Sequence, residues 1–492
     1  MDPVDSLVGA IVVGYHCRIA CGSTARGGRV THLSAWCCWL VVAVAGCGAE
    51  PPAPLPAPGS TDAVAAPMSN VILLLSDQHR WQSLGHTRLP ELETPHLDRL
   101  AAEGVSFRHA ISNYPLCSPF RAILLSGRWP YQTGALDNGA GLAGVEPTFA
   151  HVFGAAGYAT GYVGKLHLAN WTARAFGFDH SIVWQDSDDH RGGRWVVDDP
   201  EQWQRNEGRY NASVMTDQAL AFVEAQRDNP FLLVVSWNPP HSVFTDAPEA
   251  QRALYPAGRL PRPPNYREPA GLADPGAVFD GYHAHISAVD LEVGRVLRRL
   301  EELDLSDSTI VVYTSDHGAM QGAHGLVNKR FPHDESIRVP FLVWGPGRVS
   351  PRREVDAVFG AIDMAPTIAS FAGLDLPTEW MGQDFAPWLR GEIGPNPVGQ
   401  PIMHILNRRT ERLPPAERPA PRFRGIRTPR WTYAVRASGP WLLFDNRADP
   451  DQLVNRVEDP ALAATRSELA GAIADWLVRA DDPFPMPPSA WQ

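Results

Sequence analysis

The sequence predicts an α/β fold with a largely parallel central sheet flanked by helices, followed by a smaller C-terminal α+β subdomain that has an antiparallel sheet. Short apolar runs alternate with amphipathic stretches from residue 70 onwards, which is the pattern of strands buried on both faces of a parallel sheet. Polar residues follow directly after several of these runs, where open α/β sheets form their binding sites. Beyond residue 395 the apolar runs follow one another without long helices between them, which favours antiparallel pairing.

The elements can be assigned in order along the chain. The predicted strands of the parallel sheet are residues 70–76, 158–164, 231–237 and 309–315. The predicted helices are residues 95–103, 147–156, 213–226, 281–303 and 364–372. At the first helix, Thr94 is the expected N-cap and Pro95 the first helical residue. In the subdomain, residues 424–436 and 441–445 predict antiparallel strands and residues 461–479 predict a helix.

The composition is that of a soluble globular protein with room for two domains. The chain has 492 residues, of which 44% are hydrophobic and 20% charged, so a sizeable core is expected. Its formal net charge is −11, and it contains no basic run of the kind that binds nucleic acid. We therefore expect no nucleic-acid partner, and an anionic substrate must be met by local cations.

The N-terminal segment has the layout of a lipoprotein leader. Residues 1–46 form the predicted signal peptide, in which Arg26 and Arg29 precede an apolar run too short to span a membrane comfortably. Residues 44–47 resemble a lipobox, whose Cys47 is lipidated, and residues 47–68 are a predicted Pro/Ala-rich tether. We expect a lipid anchor that holds the protein at a membrane of the bacterial cell envelope. The alternative is translation from Met68, which would make the protein cytoplasmic.

The cysteines point to one residue in the folded body. Of six cysteines, four precede the lipobox and one is Cys47, so Cys117 is the only one left after processing. A disulfide framework is therefore excluded from the mature chain. A lone thiol in an envelope protein suggests chemistry more than structure.

Cys117 begins the stretch Cys-Ser-Pro-Phe-Arg. Pro119 suits the first turn of a helix, so Cys117 is expected at a helix N-terminus with Arg121 one turn along. The backbone N–H groups and the helix dipole would stabilise an anion there. From the residues alone, both a buried structural thiol and a reactive thiolate of lowered pKa remain open.

A third interpretation accounts for Cys, Pro and Arg together. Residues 117–121 resemble the C-x-P-x-R signature of type I sulfatases, and residues 125–134 resemble that family's continuation. The resemblance implies an alkaline phosphatase-like fold, with a catalytic domain over residues 69–395 and a C-terminal subdomain over residues 396–492. It also implies that a formylglycine-generating maturation enzyme oxidises Cys117, and that the hydrated aldehyde is the nucleophile.

The residues after two predicted strands offer ligands for one divalent cation. Asp77 and Gln78 follow the first strand, and Asp316 and His317 follow the strand at residues 309–315. The resemblance makes these four residues and Cys117 the metal site. The family more often has Asp in place of Gln78 and Asn in place of His317, so Ca²⁺ is expected while Mn²⁺ and Mg²⁺ remain alternatives. Each pair taken alone could also be a strand-end turn.

Sulfate esters need electrostatic catalysis. The barrier must fall by on the order of 20 kcal/mol, whereas general acid–base catalysis supplies only about 3–6 kcal/mol. A metal together with Arg121, Lys165 and Lys329 around the non-bridging oxygens would supply the remainder. Lys165 follows a predicted strand, and residues 318–329 resemble the family's segment from metal ligand to substrate-binding lysine.

Two histidines complete the catalytic set that the resemblance implies. His241 would protonate the departing alcohol oxygen, and His167 would help to deprotonate the second hydroxyl of the hydrate so that sulfate is expelled. Either could also be a histidine packed in a loop or turn.

Three further features receive structural interpretations. The acidic loop 186–190 is expected to be solvated, with a cation site as its alternative, and His285 is expected to belong to a scaffold helix. Trp171, Trp184, Trp195 and Trp203 could shape a substrate cleft, although core packing is the commoner use of Trp.

The predicted function is hydrolysis of sulfate monoesters, with a small-molecule or carbohydrate sulfate ester as substrate. The first alternative is a phosphonate monoester or phosphodiester hydrolase of the same superfamily, an interpretation that Gln78 and His317 favour. The second is a non-catalytic surface lipoprotein that binds anionic glycans.

Overall fold

The structure is a computed structural model that describes residues 68–405 and 422–491, apart from residues 143 and 186. The predicted signal peptide, the lipobox with Cys47 and nearly all of the tether lie outside the described residues. Within the described part of the chain, no helix has the length and apolar character needed to cross a membrane.

The described residues form a ten-stranded sheet and a separate four-stranded sheet. The strands of the large sheet are β1 (Asn70–Ser76), β2 (Val105–Ile111), β3 (Ala159–Lys165), β4 (His180–Gln185), β5 (Arg194–Val197), β6 (Trp203–Arg205), β7 (Phe231–Ser236), β8 (Thr309–Ser315), β9 (Phe341–Trp344) and β10 (Arg353–Gly360). Their spatial order is β10-β2-β9-β8-β1-β7-β3-β4-β5-β6. β9 and β5 run antiparallel to their neighbours, and the remaining neighbours are parallel. The predicted α/β fold with a largely parallel sheet is confirmed.

Helices cover both faces of the large sheet. Those described are α1 (Pro95–Glu103), α2 (Cys117–Ser126), α3 (Pro130–Thr133), α4 (Phe149–Ala155), α5 (Asn211–Ala225), α6 (Glu249–Ala253), α7 (Pro275–Glu302), α8 (Asp334–Ile337), α9 (Ala361–Phe371), α10 (Ala386–Leu389) and α11 (Ala463–Arg479). Alternate residues of β1 enter different cores: Leu73 packs with residues of α2, α4 and α9, and Leu74 packs with residues of α1, α5 and α7. This two-sided burial explains why β1 is apolar at successive positions.

Two expected helix starts are confirmed: Thr94 is the N-cap of α1 with Pro95 as its first residue, and Cys117 lies at the N-terminus of α2. Thr94 does not cap α1 with its side chain; its hydroxyl accepts from the Gly85 N–H and donates to Asp98. α2 begins at Cys117 rather than at Pro119, because Leu116 with its extended backbone is the N-cap. Pro119 still lies in the first turn, where its missing N–H costs no helical hydrogen bond.

The C-terminal sheet is antiparallel throughout, as predicted. Its strands are β11 (Gln400–His404), β12 (Phe423–Arg427), β13 (Trp431–Arg436) and β14 (Gly439–Asp445), in that spatial order, and α11 follows them. A buried ion pair between Arg427 of β12 and Asp334 of α8 connects this sheet to the preceding part of the chain. The domain boundary between residues 395 and 396 stays a prediction.

Candidate active site

The candidate site lies where four neighbouring strands end. β8, β1, β7 and β3 are adjacent in that order and parallel, so their C-terminal ends meet at one edge of the sheet. Asp77 follows β1, Asp316 follows β8, and Lys165 is the last residue of β3. His241 lies in the loop after β7. Folding thus brings together side chains from distant parts of the chain.

α2 presents Cys117 to this edge. Cys117 is the first residue of the helix and is only 1% exposed. Every residue of α2 is buried, because its apolar side chains pack into the core on that face of the sheet. Gly127 ends the helix with a φ of 61°, and its N–H donates to the carbonyl of Ile123. The positive end of the helix dipole therefore lies at Cys117.

Cys117 lies among acidic and basic groups. Its Sγ is 3.3 Å from His317 Nε2 and 4.0 Å from Asp77 Oδ1. Burial and the charge of Asp77 oppose ionisation, but Lys329 and Lys165 outweigh them and hold the pKa of the thiol well below its ordinary value. Cys117 is the only cysteine among the described residues, and it is free.

Arg121 contacts the two carboxylates from beneath the site. Its Nη2 lies 3.1 Å from Asp77 Oδ2 and 3.1 Å from Asp316 Oδ2. Its Nη1 donates at 2.6 Å to the Lys165 carbonyl and to Ser236 Oγ. The expected contact of Arg121 with the non-bridging oxygens of the substrate stays a prediction, and its hydrogen bonds in the structure go to protein groups.

The pKa values of the two carboxyl groups are shifted in opposite directions. Burial alone would raise the pKa of Asp77. The pKa is nevertheless held well below its ordinary value by Lys165, His241 and Arg121. Lys165 Nζ lies 2.7 Å from Asp77 Oδ2. Burial and the charge of Asp77 raise the pKa of Asp316 to about 7. Two buried carboxylates at close range repel each other, and a divalent cation between them would relieve that repulsion.

Gln78 joins both sides of the site. Its φ is 79°, and its backbone N–H donates to Asp316 Oδ1 at 3.0 Å. Its side-chain Oε1 accepts a hydrogen bond of 2.7 Å from Lys329 Nζ. Its Nε2 is buried and has no hydrogen-bond partner among the described residues. Gln78 is therefore bound to Asp316 through its backbone and to Lys329 through its side chain.

The donor set at this edge fits a divalent metal. Asp77, Cys117, Asp316 and His317 each offer a ligand atom, these atoms all lie within 4.8 Å of one another, and all four residues are buried. Two carboxylates with one imidazole suit a hard or borderline cation. Gln78 lies beside them, although its carbonyl faces Lys329.

A cleft of about 520 Å³ opens above the site. Its lining residues are Asn138, Lys165, His167, Trp184, Gln185, Ser187, Asp188 and His241. His167 has a φ of 51°, and its carbonyl accepts from Ser118 Oγ in α2. Burial, then Lys329 and Lys165, hold the pKa of His241 well below its ordinary value. The two predicted catalytic histidines thus share one cleft with Lys165.

A second cluster of metal-ligating side chains lies apart from the four residues above, and the sequence analysis missed it. Asp246 accepts from the His190 backbone N–H at 2.8 Å and lies 2.7 Å from His190 Nδ1. Its Oδ1 is 3.2 Å from His285 Nε2 in α7. The loop 186–190 was expected to be solvated, but His190 at its end is buried and anchored. Asp186, at its start, lies outside the described residues. Only the buried placement of His285 on a helix gave a sequence signal.

Comparison with known proteins decides the family. The sulfatase family model matches residues 69–374, more than half of the chain. The chain is 34% identical over 432 residues to the ulvan-active sulfatase of Formosa agariphila, covering 84% of this chain and 82% of that protein. The chain belongs to the sulfatase family. The resemblance of residues 117–134 to sulfatases is thereby confirmed, and the protein is a sulfate ester hydrolase.

Further similarities agree with this sulfatase assignment. A model described as N-sulphoglucosamine sulphohydrolase, C-terminal, matches residues 322–478. A Bacteroides thetaiotaomicron chain, solved in work on its metabolism of multiple glycosaminoglycans, is 26% identical with a TM-score of 0.75, covering 85% of this sulfatase and 97% of that chain. The phosphonate monoester hydrolase of Agrobacterium radiobacter is 21% identical with a TM-score of 0.69, covering 84% of this chain and 96% of that chain. This similarity shows a shared fold.

Proposed function

We propose that this sulfatase hydrolyses sulfate monoesters with a formylglycine nucleophile made from Cys117, one divalent cation, and His241 as general acid. The observation that carries the proposal is the placement of Cys117. Its Sγ lies 3.3 Å from His317 Nε2, beside Asp77 and at the N-terminus of α2. A structural thiol needs no such surroundings, whereas the helix N-terminus together with Lys165, Lys329 and His317 stabilises an anionic reacting group against the opposing charge of Asp77.

The proposal requires a modified residue at position 117 and a divalent cation. A maturation enzyme would convert Cys117, and the aldehyde hydrate supplies an oxygen nucleophile with a second hydroxyl for sulfate release. Asp77, Gln78, Asp316 and His317 would hold the cation, which supplies charge stabilisation for the sulfate oxygens. Carboxylate oxygens favour Ca²⁺, and the His317 nitrogen keeps Mn²⁺ and Mg²⁺ as alternatives.

The chain's own residues would then divide the remaining work. Lys165 and Lys329 place two ammonium groups at the site, where they meet the negative charge of the ester. Arg121 would act through the carboxylates that it holds. His241 is neutral in the free site because its pKa is lowered, and the anionic substrate would raise that pKa so that His241 can donate to the leaving alcohol. His167 would accept the proton of the second hydroxyl.

We propose a carbohydrate sulfate ester as the substrate, with a small-molecule ester as the alternative. The cleft of about 520 Å³ has room for a sugar unit and combines Trp184 with the polar side chains of Asn138 and Gln185. Of the relatives reported above, the one with the highest sequence identity, 34%, is described as an ulvan-active sulfatase. We further propose that Cys47 anchors the protein in the cell envelope.

A phosphonate monoester or phosphodiester hydrolase remains the second candidate. Gln78 and His317 favour it, and one phosphonate monoester hydrolase shares the fold. The test compares kcat/KM for 4-nitrophenyl sulfate and for phenyl 4-nitrophenyl phosphonate on matured enzyme. We expect a higher kcat/KM for the sulfate; a strong preference for phosphorus would contradict the proposal.

Cys117→Ala and Cys117→Ser are the matched controls for that comparison. We expect both variants to lose sulfate hydrolysis while they retain the fold, since each side chain fits the space of the thiol. The non-catalytic alternative, a glycan-binding lipoprotein, predicts instead that Cys117→Ala changes nothing that the protein does. Full activity of Cys117→Ala would therefore sink the formylglycine mechanism.

A further inference from the structure

Two exposed tryptophans and two arginines form a surface at the outer strands of the large sheet. Trp171 is 43% exposed and Trp203 is 50% exposed. The guanidinium carbon of Arg194 lies 4.5 Å from the Trp171 ring centroid and 5.4 Å from that of Trp203. Arg205 is exposed and lies directly opposite Arg194 in the pairing of β5 with β6. We call Trp171, Arg194, Trp203 and Arg205 the Trp–Arg platform.

The platform is continuous with the active-site cleft. Gln185, which lines the cleft, is the cross-strand partner of Arg194 in the pairing of β4 with β5. Its Nε2 also donates to the carbonyl of Asn170, the residue before Trp171. Because neighbouring strands lie roughly 5 Å apart, Arg194 and Arg205 are about 5 and 10 Å beyond Gln185 along the sheet. The sugar units next to the one in the cleft would extend over a similar distance from Gln185.

Packing in the core does not account for the two tryptophans of the platform. Trp184 and Trp195, on the adjoining strands β4 and β5, are buried in the core, as Trp usually is. Trp171 and Trp203 instead leave large apolar areas in water, which marks interaction surfaces.

The charge of the platform points to an anionic occupant. Among the described residues no carboxylate forms an ion pair with the Arg205 side chain. The chain as a whole carries −11, so an exposed arginine without such a partner stands out against its surroundings. Trp and Arg are also the residues that most often dominate binding energy at interfaces.

We propose that the Trp–Arg platform binds the sugar units adjoining the one whose sulfate ester is cleaved. An indole would stack on the apolar face of a sugar ring, and Arg205 would face a further sulfate or carboxylate of the chain. The ligand class is therefore a sulfated oligosaccharide longer than its reacting unit. The inference rests on the proposed carbohydrate substrate, and its test is a binding measurement that needs no turnover.

The experiment measures dissociation constants in a Cys117→Ala background. The probes are dextran sulfate disaccharide and hexasaccharide, compared for the parent and for Trp171→Ala/Trp203→Ala and Arg205→Gln variants. We expect the hexasaccharide to bind roughly tenfold more weakly to the double variant, because two stacking contacts are lost. Binding of the disaccharide should change by less than about twofold, since it occupies the cleft alone. Unchanged hexasaccharide affinity, or an equal loss for both lengths, would overturn the proposal.

Two controls separate this inference from the proposed function and from misfolding. Trp491→Ala removes a tryptophan of equal exposure, 43%, that lies beside Gly471 of α11, and it should leave both affinities unchanged. The platform variants in the Cys117 enzyme should keep the parent kcat/KM for 4-nitrophenyl sulfate. Absence of aryl sulfate turnover in the parent would contradict the proposed function, while the length dependence of binding would still decide the role of the platform.

Discussion

Lys329 Nζ donates a 2.7 Å hydrogen bond to Oε1 of Gln78, whose own backbone N–H is bonded to Asp316. The amide at position 78 therefore orients an ammonium group at the buried edge of the site, besides any part that it has in holding a cation. A carboxylate at this position would neutralise Lys329, whereas the amide leaves its charge for the substrate.

Removing Lys329 should lower kcat strongly. Lys329→Ala takes a cation from the developing charge, so we expect a loss of about 10²- to 10³-fold in kcat for 4-nitrophenyl sulfate. Gln78→Ala should lower kcat by a smaller factor than Lys329→Ala does. A double-mutant cycle in kcat should show a coupling of about 0.5–3 kcal/mol, because the two side chains are in contact. Strict additivity would show that Gln78 does not orient Lys329.

Chelation should remove a cation that the fold uses. Matured enzyme treated with EDTA should lose activity and unfold at a lower temperature, and Ca²⁺ should restore both better than Mg²⁺ or Mn²⁺. At a cation concentration 100 times its Kd the stabilisation is about 2.7 kcal/mol. Metal analysis of Asp316→Asn, which weakens the donor set, should find less bound cation than in the parent. An unchanged melting temperature after chelation would speak against the site.

Asp246 should stabilise the loop that carries His241. Asp246→Ala removes the partner of two buried imidazoles, so we expect a loss of about 2–4 kcal/mol in unfolding free energy and a lower kcat. The matched control is Asp228→Ala, whose carboxylate is exposed beside Arg227. Chemical denaturation and kcat measure the difference. Equal unfolding free energies of the two variants would show that Asp246 does not stabilise this loop.

Asp334 should make the stability of the folded protein fall at acid pH. Its pKa is lowered to about 2, because Arg427 and Arg338 outweigh the effect of burial. A carboxyl group whose pKa is lower in the folded state stabilises the fold above its unfolded pKa, and this stabilisation is lost as pH falls towards 2. The loss amounts to roughly 2 kcal/mol between pH 4 and pH 2.

Asp334→Asn tests that assignment. At pH 7 the variant leaves the buried guanidinium of Arg427 without its charge partner, which costs about 3–5 kcal/mol. The difference between parent and variant should shrink as pH falls from 4 to 2, because the Asp334 carboxylate is protonated first in the unfolded chain and only near pH 2 in the folded protein. The measurement is the denaturation midpoint of parent and variant at a series of pH values across this range. A difference between the two midpoints that stayed constant with pH would contradict the assignment.

The centre of the large sheet could be predicted because its strands are uniformly apolar. β1 and β8 are buried at every position, so their ends, and with them Asp77 and Asp316, can be read from the sequence. β2 was missed because Arg108 interrupts it with an exposed charge, and β9 because it has only four residues. Short or mixed strands give no periodic signal.

Contacts between loops could not be predicted. His190, Asp246 and His285 belong to separate segments, and the contacts of Asp246 with the two histidines join them only in the folded chain. The same limit applies to the tryptophans. Trp195 on β5 is buried and Trp203 on β6 is exposed, because β6 is the outermost strand of the sheet. Sequence pattern alone does not distinguish an outer strand from an inner one.

The central claim is the conversion of Cys117, and one mass spectrum tests it most directly. Trypsin releases the peptide from His109 to Arg121, which contains Cys117 as its only cysteine. In protein isolated from its native host, the account predicts that this peptide has lost sulfur and carries an aldehyde that reacts with a hydrazide. An unmodified thiol at position 117 in catalytically active protein would contradict the account.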